Sequence, residues 1–421
     1  MSEQSKQDLR RRLSHLGRRP IDKRDRPELS ARHQQSIDEL NGDVLTTAAG
    51  EAYRIERSYP LDYEHGGSTL LDLLRYDGRQ LTAQVAQNEG LLQAPLADLA
   101  YVDTETTGLA GGAGTLVFLV GVGRFVNDAF VLHQYFLRDP AEEAGMLQAL
   151  RDDLEASAGF VTFNGRAFDI PLLEMRYVMG ARESWPLTSW PHLDLLHPAR
   201  RLWRRQLPDC RLSTLEARVL GIERTEADVP GAEIPQMYLE YLQTGDVSQI
   251  SRVVYHNEID ILSLVGLATE ILSRHGEEDP SSLSSSEALA IARWHERAGR
   301  VEPAEAAYQV AADAAQRDSV RLEALRRWST QLKRQGRFSE AVEAWQAWHA
   351  GAPDDVRPCI ELAKHYEWKV KNLSEASKWA HAGLVCLSHL PDDWHRQRRW
   401  LELEHRLRRL NKKIDRDEQG G

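Results

Sequence analysis

Apolar and polar positions alternate most clearly between residues 96 and 163, where short apolar runs are separated by turn residues. Runs at 99–103, 115–123 and 130–136 are divided by Gly and Asn-Asp turns, which predicts three strands in an antiparallel meander. Residues 141–154 carry apolar side chains at helical spacing, and 160–163 predicts a short buried strand. The predicted order is three strands, a helix and a further strand.

More helices and one more strand are predicted further along the chain. The expected helices cover 171–179, 200–207, 212–220 and 251–272, and the expected strand covers 192–195. This order favours an α/β domain in which helices flank a mixed sheet. We assign that domain to residues 96–275 and expect a small strand-rich lead-in over 40–95.

Beyond a linker at 276–286, which contains Pro280 and five serines, the pattern is helical throughout. Pairs of a small and an aromatic residue recur here: Ala304 with Tyr308, Ala341 with Trp345, and Ala376 with Trp379. The alanines are 37 and 35 residues apart, close to the roughly 34-residue period of tetratricopeptide helix pairs. We predict an all-α domain of tetratricopeptide-like repeats over 287–412, with a plain helical bundle as the alternative.

Composition is that of a folded protein outside the membrane. Hydrophobic residues make up 42% and charged residues 28% of the chain, and the longest apolar run, 116–122, is far shorter than the roughly 20 residues of a membrane helix. We expect a cytoplasmic protein with no membrane contact. Three cysteines, Cys210, Cys359 and Cys386, lack CxxC spacing, which argues against a cysteine-based zinc site and favours buried small side chains.

Charge is unevenly distributed. The net charge is −11, which by itself disfavours nucleic acid as a partner, but residues 1–35 hold ten basic residues against five acids. This segment predicts a disordered basic arm, which either contacts phosphates or is a solvated tail. It has no apolar stretch of the kind found in secretory signals.

Two carboxylates stand at the end of the first predicted strand, in Tyr101-Val-Asp-Thr-Glu-Thr-Thr-Gly108. Residues i and i+2 of a strand project to the same face, so Asp103 and Glu105 can share a cation. Oxygen ligands suit a hard ion such as Mg²⁺ or Mn²⁺. On its own, Asp-x-Glu is more often a solvated strand edge.

Two further segments each supply one carboxylate. Asp169 opens a predicted helix after the Asn164-Gly165 turn, where helix capping is the simplest role. Asp260 lies on an otherwise apolar helix face, and a buried lone acid costs free energy unless it binds a cation or another partner. Together the three segments favour one shared metal site over three separate structural roles.

The three segments, in this order, resemble motifs one to three of the DEDD exonuclease superfamily, and most closely the YprB-like ribonuclease H-like proteins of bacteria. The resemblance covers roughly residues 40–272 and implies a ribonuclease H-like core and two-metal phosphodiester cleavage. It implies that Asp103 bridges two ions, that Glu105 and Asp260 hold the ion carrying the nucleophilic water, and that Asp169 serves the other ion.

Superfamily members also use a His or Tyr shortly before the last Asp to orient or deprotonate water. Here the spacing departs from both usual types, since Tyr255 is five and His256 four positions before Asp260. Residues i and i+4 share a helix face, and a near-neutral pKa suits a base. We therefore favour His256 as the base, with Tyr255 or neither as alternatives.

Basic residues near the site are candidates for nucleic-acid binding. Four arginines flank Trp203 in a predicted helix, where they form two i,i+4 pairs: Arg200, Arg201, Arg204 and Arg205. Such a stripe binds phosphates while the tryptophan stacks or packs, although a solvated helix face explains it nearly as well. Asn164 joins this set, whereas His192 and His197 are expected to be structural and Asp194 either supports the site or caps a turn.

Two functional hypotheses follow. The first is a 3′ to 5′ exonuclease that uses two Mg²⁺ or Mn²⁺ ions on DNA or RNA, with the helical repeats binding a protein partner. The second is a catalytically inactive scaffold that binds nucleic acid and recruits proteins through the same repeats. The presence of all four carboxylates favours the enzyme, since loss of activity usually removes at least one of them.

Overall fold

The protein is described here from a computed structural model, which covers residues 37–76, 78–108, 114–225, 227–313, 318–389, 391 and 393–419. The predicted basic arm, 1–35, lies outside the described residues. The chain forms two compact units, the first ending at Gly276 and the second beginning at Glu277.

A seven-stranded mixed sheet forms the centre of the first unit, with strand order β1-β2-β7-β6-β5-β8-β9. Its strands are β1 Asp43–Thr47, β2 Gly50–Pro60, β5 Leu99–Thr106, β6 Val117–Val126, β7 Ala129–Phe136, β8 Gly159–Thr162 and β9 His192–Asp194. The neighbouring strands β1, β2, β7, β6 and β5 pair in antiparallel fashion. Strand β5 pairs in parallel with β8, and β8 with β9. The predicted meander and mixed sheet are confirmed.

The lead-in is part of this sheet rather than a separate layer. Strand β2 pairs with β7 from Tyr53↔Phe136 to Pro60↔Ala129, so the first two strands extend the meander. A separate two-stranded hairpin, β3 Glu64–His65 and β4 Ser68–Thr69, follows β2. The sequence pattern did not reveal the pairing because β2 contains four charged residues and its partner is about 80 residues away.

Helices cover the sheet. They are α1 Leu70–Leu74, α2 Arg79–Ala86, α3 Glu143–Leu154, α4 Asp169–Arg176, α5 Leu196–Trp203, α6 Leu212–Leu215, α7 Ile234–Thr244 and α8 Ser248–Gly276. Single π-helical turns, Tyr177–Ala181 and Glu216–Leu220, extend α4 and α6. Helix α5 ends at Trp203, so the predicted helix at 200–207 was placed too far along the chain.

The 29-residue helix α8 positions the site. It packs on β5 and β6, and its buried side chains recur at helical spacing, including Val253, Val254, Ile261, Leu264 and Val265. This apolar stripe fixes the rotation of the helix on the sheet. The polar residues 256, 257 and 260, in the middle of the same helix, are thereby held beside the end of β5.

The second unit is built from helices joined by short loops, with no strand among its described residues. Its helices are α9 Ser285–Arg297, α10 Val301–Asp313, α11 Asp318–Arg334, α12 Phe338–Gly351, α13 Val356–His365, α14 Leu373–Ser388 and α15 Trp394–Gln419. The predicted all-helical region is confirmed, and the repeat alanines Ala304, Ala341 and Ala376 are fully buried. The tetratricopeptide character of these helices stays a prediction. No helix of the described chain combines the length and apolarity that crossing a bilayer requires.

Candidate active site

Strand β5 supplies the first two carboxylates. It lies inside the sheet between β6 and β8, and its residues are buried except Asp103 and Glu105, which are half-buried and alternate with buried threonines. The alternation follows the pleat, which turns both acids to one face. The strand therefore presents a pair of carboxylates on one face at its end.

Asp169 reaches the same place from the start of α4. Strand β8 ends at Thr162, and the following turn has Asn164 in the left-handed region at φ 67°. The Oγ1 of Thr104, on β5, donates a hydrogen bond to Oδ1 of Asp169. This bond links the first and second motifs directly.

Asp194 anchors the turn that precedes Asp169. Its carboxylate accepts hydrogen bonds from the backbone N–H groups of Asn164 at 2.8 Å, Arg166 at 3.2 Å and Leu196 at 3.1 Å. These contacts are those of an aspartate that caps a turn, one of the two roles expected for Asp194.

Helix α8 also contributes Asn257, which no sequence motif singles out. Asn257 is fully buried, and its Nδ2 donates to Oδ2 of Asp103 at 2.9 Å. The side chain of Gln134, on β7, donates to Oδ1 of Asn257 at 2.9 Å, which fixes the orientation of the amide. Gln134 and Asn257 thus hold one oxygen of Asp103 in place.

Arg224, in the loop after α6, forms the densest set of ion pairs at the site, and sequence reasoning missed it. Its Nε and Nη2 bind both oxygens of the fully buried Glu216 at 2.6 and 2.7 Å. The same Nη2 donates to Oδ1 of Asp260, and Nη1 lies 3.3 Å from Oδ2 of Asp228. A lone arginine in a loop carries no recognisable sequence signal.

His256 faces the carboxylates. Its Nδ1 is 2.7 Å from Oδ1 of Asp228 and 3.0 Å from Nη1 of Arg224, whereas its Nε2 lies 3.8 Å from Oε1 of Glu105 and 3.6 Å from Oδ2 of Asp260. Arginine only donates and a carboxylate only accepts, so the two contacts of Nδ1 call for opposite tautomers. The shorter contact, to Asp228, favours a proton on Nδ1, and Nε2 is then an acceptor that faces the site. Tyr255 has a different environment, with its hydroxyl 3.4 Å from Thr225 in an exposed contact.

The electrostatics of this cluster are strongly unfavourable without additional cations. Burial and neighbouring carboxylates raise the pKa of Asp103 and Glu105 well above the usual range. Burial raises the pKa of Asp169 to about 6 and also raises that of Asp260. Asp103, Glu105, Asp169 and Asp260 interact electrostatically, and Glu216, Asp228 and Asp260 surround the guanidinium of Arg224. One guanidinium offsets only part of the charge of these six acids. An oxygen-rich, over-negative site of this kind fits hard divalent ions.

Comparison with known proteins agrees with this geometry. A sequence model described as the RNase_H superfamily matches residues 100–272, a span that includes all four carboxylates and Arg224. The chain is also 32% identical over 347 residues to the uncharacterized protein YprB of Bacillus subtilis strain 168, covering 79% of this chain and 81% of that protein. The chain belongs to the YprB family of ribonuclease H-like proteins.

Members of the ribonuclease H superfamily are generally phosphodiester hydrolases that act on nucleic acids and typically use divalent metals. This YprB-family protein therefore has the fold of a superfamily that consists mostly of nucleases, and it carries an acidic, oxygen-rich site within that fold. Its fold class, predicted from the sequence, is confirmed by both the match and the sheet.

The arginines predicted to bind nucleic acid in this YprB-family protein do not form one helical stripe. Arg200 is exposed on α5, whereas Arg204 and Arg205 are exposed in the turn after that helix ends. Arg201 is half-buried and its guanidinium donates to the carbonyl oxygen of Val85. Trp203 is 3% exposed, so it packs in the core instead of stacking on bases.

Proposed function

We propose that this protein is a DEDD-type exonuclease that removes nucleotides from the 3′ end of DNA or RNA. The observation that carries the proposal is that Glu105 of β5 and Asp260 of α8 both face Nε2 of His256, at 3.8 and 3.6 Å. Asp103 and Asp169 lie close enough to interact electrostatically with them. Asp103, Glu105, Asp169 and Asp260 would hold two Mg²⁺ or Mn²⁺ ions. Such ions, when bound, would activate a water and stabilise the leaving 3′ oxygen.

The protein's own residues prepare this site by fixing the carboxylates before substrate arrives. Asn257 holds Asp103, Thr104 holds Asp169, and Arg224 holds one oxygen of Asp260. Each of these bonds holds one oxygen of the carboxylate in place. Fixed ligands lower the reorganisation needed in the transition state.

His256 is proposed to accept the proton of the attacking water at Nε2. Asp228 would hold the imidazole by its Nδ1–H, in the tautomer that leaves Nε2 unprotonated. Asp228 is therefore a positioning residue. Sequence reasoning found His256 but gave no role to Asp228.

The substrate strand is proposed to lie near the turn that carries Asn164 and near the exposed arginines 200, 204 and 205. Phosphate contacts of this kind position a strand without reading its sequence. Arg201 is a weaker candidate, because it already donates to a backbone carbonyl. The helical second unit is proposed to bind a protein partner, since exposed aromatic and aliphatic side chains, Trp368, Trp394 and Leu401, lie on its surface.

The test of the proposed activity uses full-length protein and end-labelled single- and double-stranded DNA and RNA. We expect stepwise shortening from the 3′ end with Mg²⁺ or Mn²⁺ and none with a chelator. Asp169→Asn should abolish it, whereas the exposed control Asp152→Asn should not. Metal-dependent shortening that survives Asp169→Asn would overturn the site, and stable substrates under every condition would favour the scaffold.

The base is tested in the same assay under single-turnover conditions. His256→Gln is expected to slow cleavage by roughly 10²–10⁴-fold, the usual contribution of a general base. Asp228→Asn should slow it too, because its amide stabilises the wrong tautomer of His256. Tyr255→Phe should stay near the unmodified rate. A slow Tyr255→Phe beside an unaffected His256→Gln would reverse the assignment.

A further inference from the structure

Three metal-ligating side chains that have no part in the proposed carboxylate site converge in the second unit. His349 lies near the end of α12, Cys359 on α13 and Cys386 on α14. Their donor atoms all lie within 4.8 Å of one another, and this is the one such group of three His, Cys, Asp or Glu side chains found across the described parts of the chain. The long, irregular spacing in sequence had argued against such a site.

The separation of the His349 and Cys359 donors is close to that expected around one ion. Nδ1 of His349 is 3.4 Å from Sγ of Cys359. In tetrahedral zinc sites the Zn–S distance is about 2.3 Å and the Zn–N distance about 2.0 Å, which sets neighbouring donors about 3.5 to 3.8 Å apart. Only small side-chain movements are needed to arrange all three donors around one ion.

Burial and orientation distinguish this group from ordinary cysteine packing. Cys359 is fully buried, Cys386 is 3% exposed and His349 is half-buried. Two buried cysteines alone would be unremarkable as packing. The imidazole, however, is turned with a nitrogen towards the sulfur of Cys359, and its ring meets Trp379 edge-on at 5.5 Å, which orients it.

The Cys386 thiol donates to the carbonyl oxygen of Pro353 at 2.8 Å, and a bound ion would replace this hydrogen bond. Because zinc binds cysteine as the thiolate, binding releases the thiol protons, and the affinity should rise with pH. Thiolate and imidazole together select a soft or borderline ion such as Zn²⁺ over Mg²⁺.

We propose that His349, Cys359 and Cys386 form a zinc site that ties together the consecutive helices α12, α13 and α14. No fourth His, Cys, Asp or Glu of the described residues joins the group, so a water molecule would complete the tetrahedron. The site is independent of the proposed nuclease function. It stabilises the helical unit whether or not the carboxylate site is active.

Cobalt titration of the full-length chain, prepared with reductant and chelator and then desalted, provides the test. Thiolate-bound Co²⁺ gives a near-ultraviolet charge-transfer band, which the carboxylate site cannot give because it offers only oxygen and nitrogen donors. We expect one equivalent to produce the band and Zn²⁺ to remove it. Cys359→Ser and Cys386→Ser should lose it, and Cys210→Ser, in the other unit, should keep it.

His349→Gln guards against misfolding, because it keeps both thiols and replaces only the half-buried ligand. It is expected to weaken Co²⁺ binding at least tenfold while its circular dichroism stays unchanged. Zn²⁺ should also raise the thermal midpoint of the unmodified protein but not of this variant. Absence of the charge-transfer band from the fully reduced protein would overturn the proposal. So would a Cys359–Cys386 disulfide, detected as a loss of two mass units, in a protein that binds no cobalt.

Discussion

At the scale of single residues, Arg224 is the side chain on which the geometry of the acidic cluster most depends. Glu216 is fully buried and Asp260 is 9% exposed, and the guanidinium contacts both. Burying charges costs free energy that the ion pair only partly returns. The pair is therefore better understood as positioning Asp260 than as a source of stability, but breaking it leaves a buried carboxylate without its cation.

Arg224→Gln is expected to lower the free energy of unfolding by about 3 kcal/mol, because Glu216 then lies buried without a cation. The double variant Glu216→Gln/Arg224→Gln should recover part of this loss, since no charge is left behind. Urea unfolding with chelator present measures both. Arg75→Gln, at a surface pair with Asp72, should change stability by less than about 1 kcal/mol. A single variant as stable as that control would contradict the assignment.

The carboxylates of the proposed site could be selected from the sequence, whereas the groups that contact them could not. Asp103, Glu105, Asp169 and Asp260 stand in motifs whose spacing relative to strands and helices has a physical meaning. Asn257, Gln134 and Arg224 act through contacts between distant segments, such as the 123 residues between Gln134 and Asn257. No local periodicity encodes contacts of that kind.

At the scale of elements, the site depends on a close approach between α8 and β6. Asp103 is paired across the sheet with Gly121. A Cβ atom at Gly121 would lie 2.3 Å from Oδ1 of Asn257 and 3.0 Å from Cγ1 of Ile261. Since Asn257 is fully buried and held by Gln134, it has little room to move aside. A residue without a side chain therefore permits the amide to reach Asp103.

Gly121→Ala should displace Asn257 and release Asp103. We expect a loss of about 1–3 kcal/mol in unfolding free energy, as for other overpacked cores, and weaker Mn²⁺ binding measured by calorimetry. Gly78→Ala is the matched control, because its Cβ would meet Leu81 at an ordinary 3.7 Å. If Gly121→Ala binds Mn²⁺ as tightly as the control, the approach of α8 does not position Asp103.

Most elements were predictable because their apolar periodicity is strong, and the exceptions have identifiable causes. Helix α8 exceeds its predicted bounds at both ends, where its terminal turns are more polar. Strand β2 was misassigned to a separate lead-in because its pairing with β7 determines its place. Helix α5 begins at Leu196, earlier than predicted, because Pro198 falls in its first turn, where proline is tolerated.

At the scale of the whole molecule, the two units offer different metal chemistry. The first gathers carboxylates, which favour hard ions, and the second gathers thiols and an imidazole, which favour soft ones. Spacing along the sequence indicated the first group and argued against the second, because helix packing brings His349, Cys359 and Cys386 together from three helices. Metal content measured on the whole chain must therefore be assigned to one unit by variants.

Buried histidines affect how the stability of the whole molecule changes in acid. Burial lowers the pKa of His65 and of His192 to about 4, whereas a histidine of the unfolded chain titrates near 6.5. Between these values the unfolded chain binds protons that the folded protein does not, so the stability present above pH 6.5 is lost as the pH falls. The acids whose pKa is raised in the folded protein act in the opposite direction. As the pH falls, the folded protein binds protons at these acids before the unfolded chain does, which adds stability.

His65→Gln separates these effects, because Nε2 of His65 contacts Oγ of Ser263 at 3.0 Å and the glutamine amide can replace that bond. Between about pH 7 and about pH 5, His65 is expected to account for about 2 kcal/mol of the fall in unfolding free energy. The variant should lose that much less over the same range, measured by urea unfolding with chelator. The exposed control His197→Gln should follow the unmodified protein. Parallel curves for all three would mean that His65 is protonated in the fold.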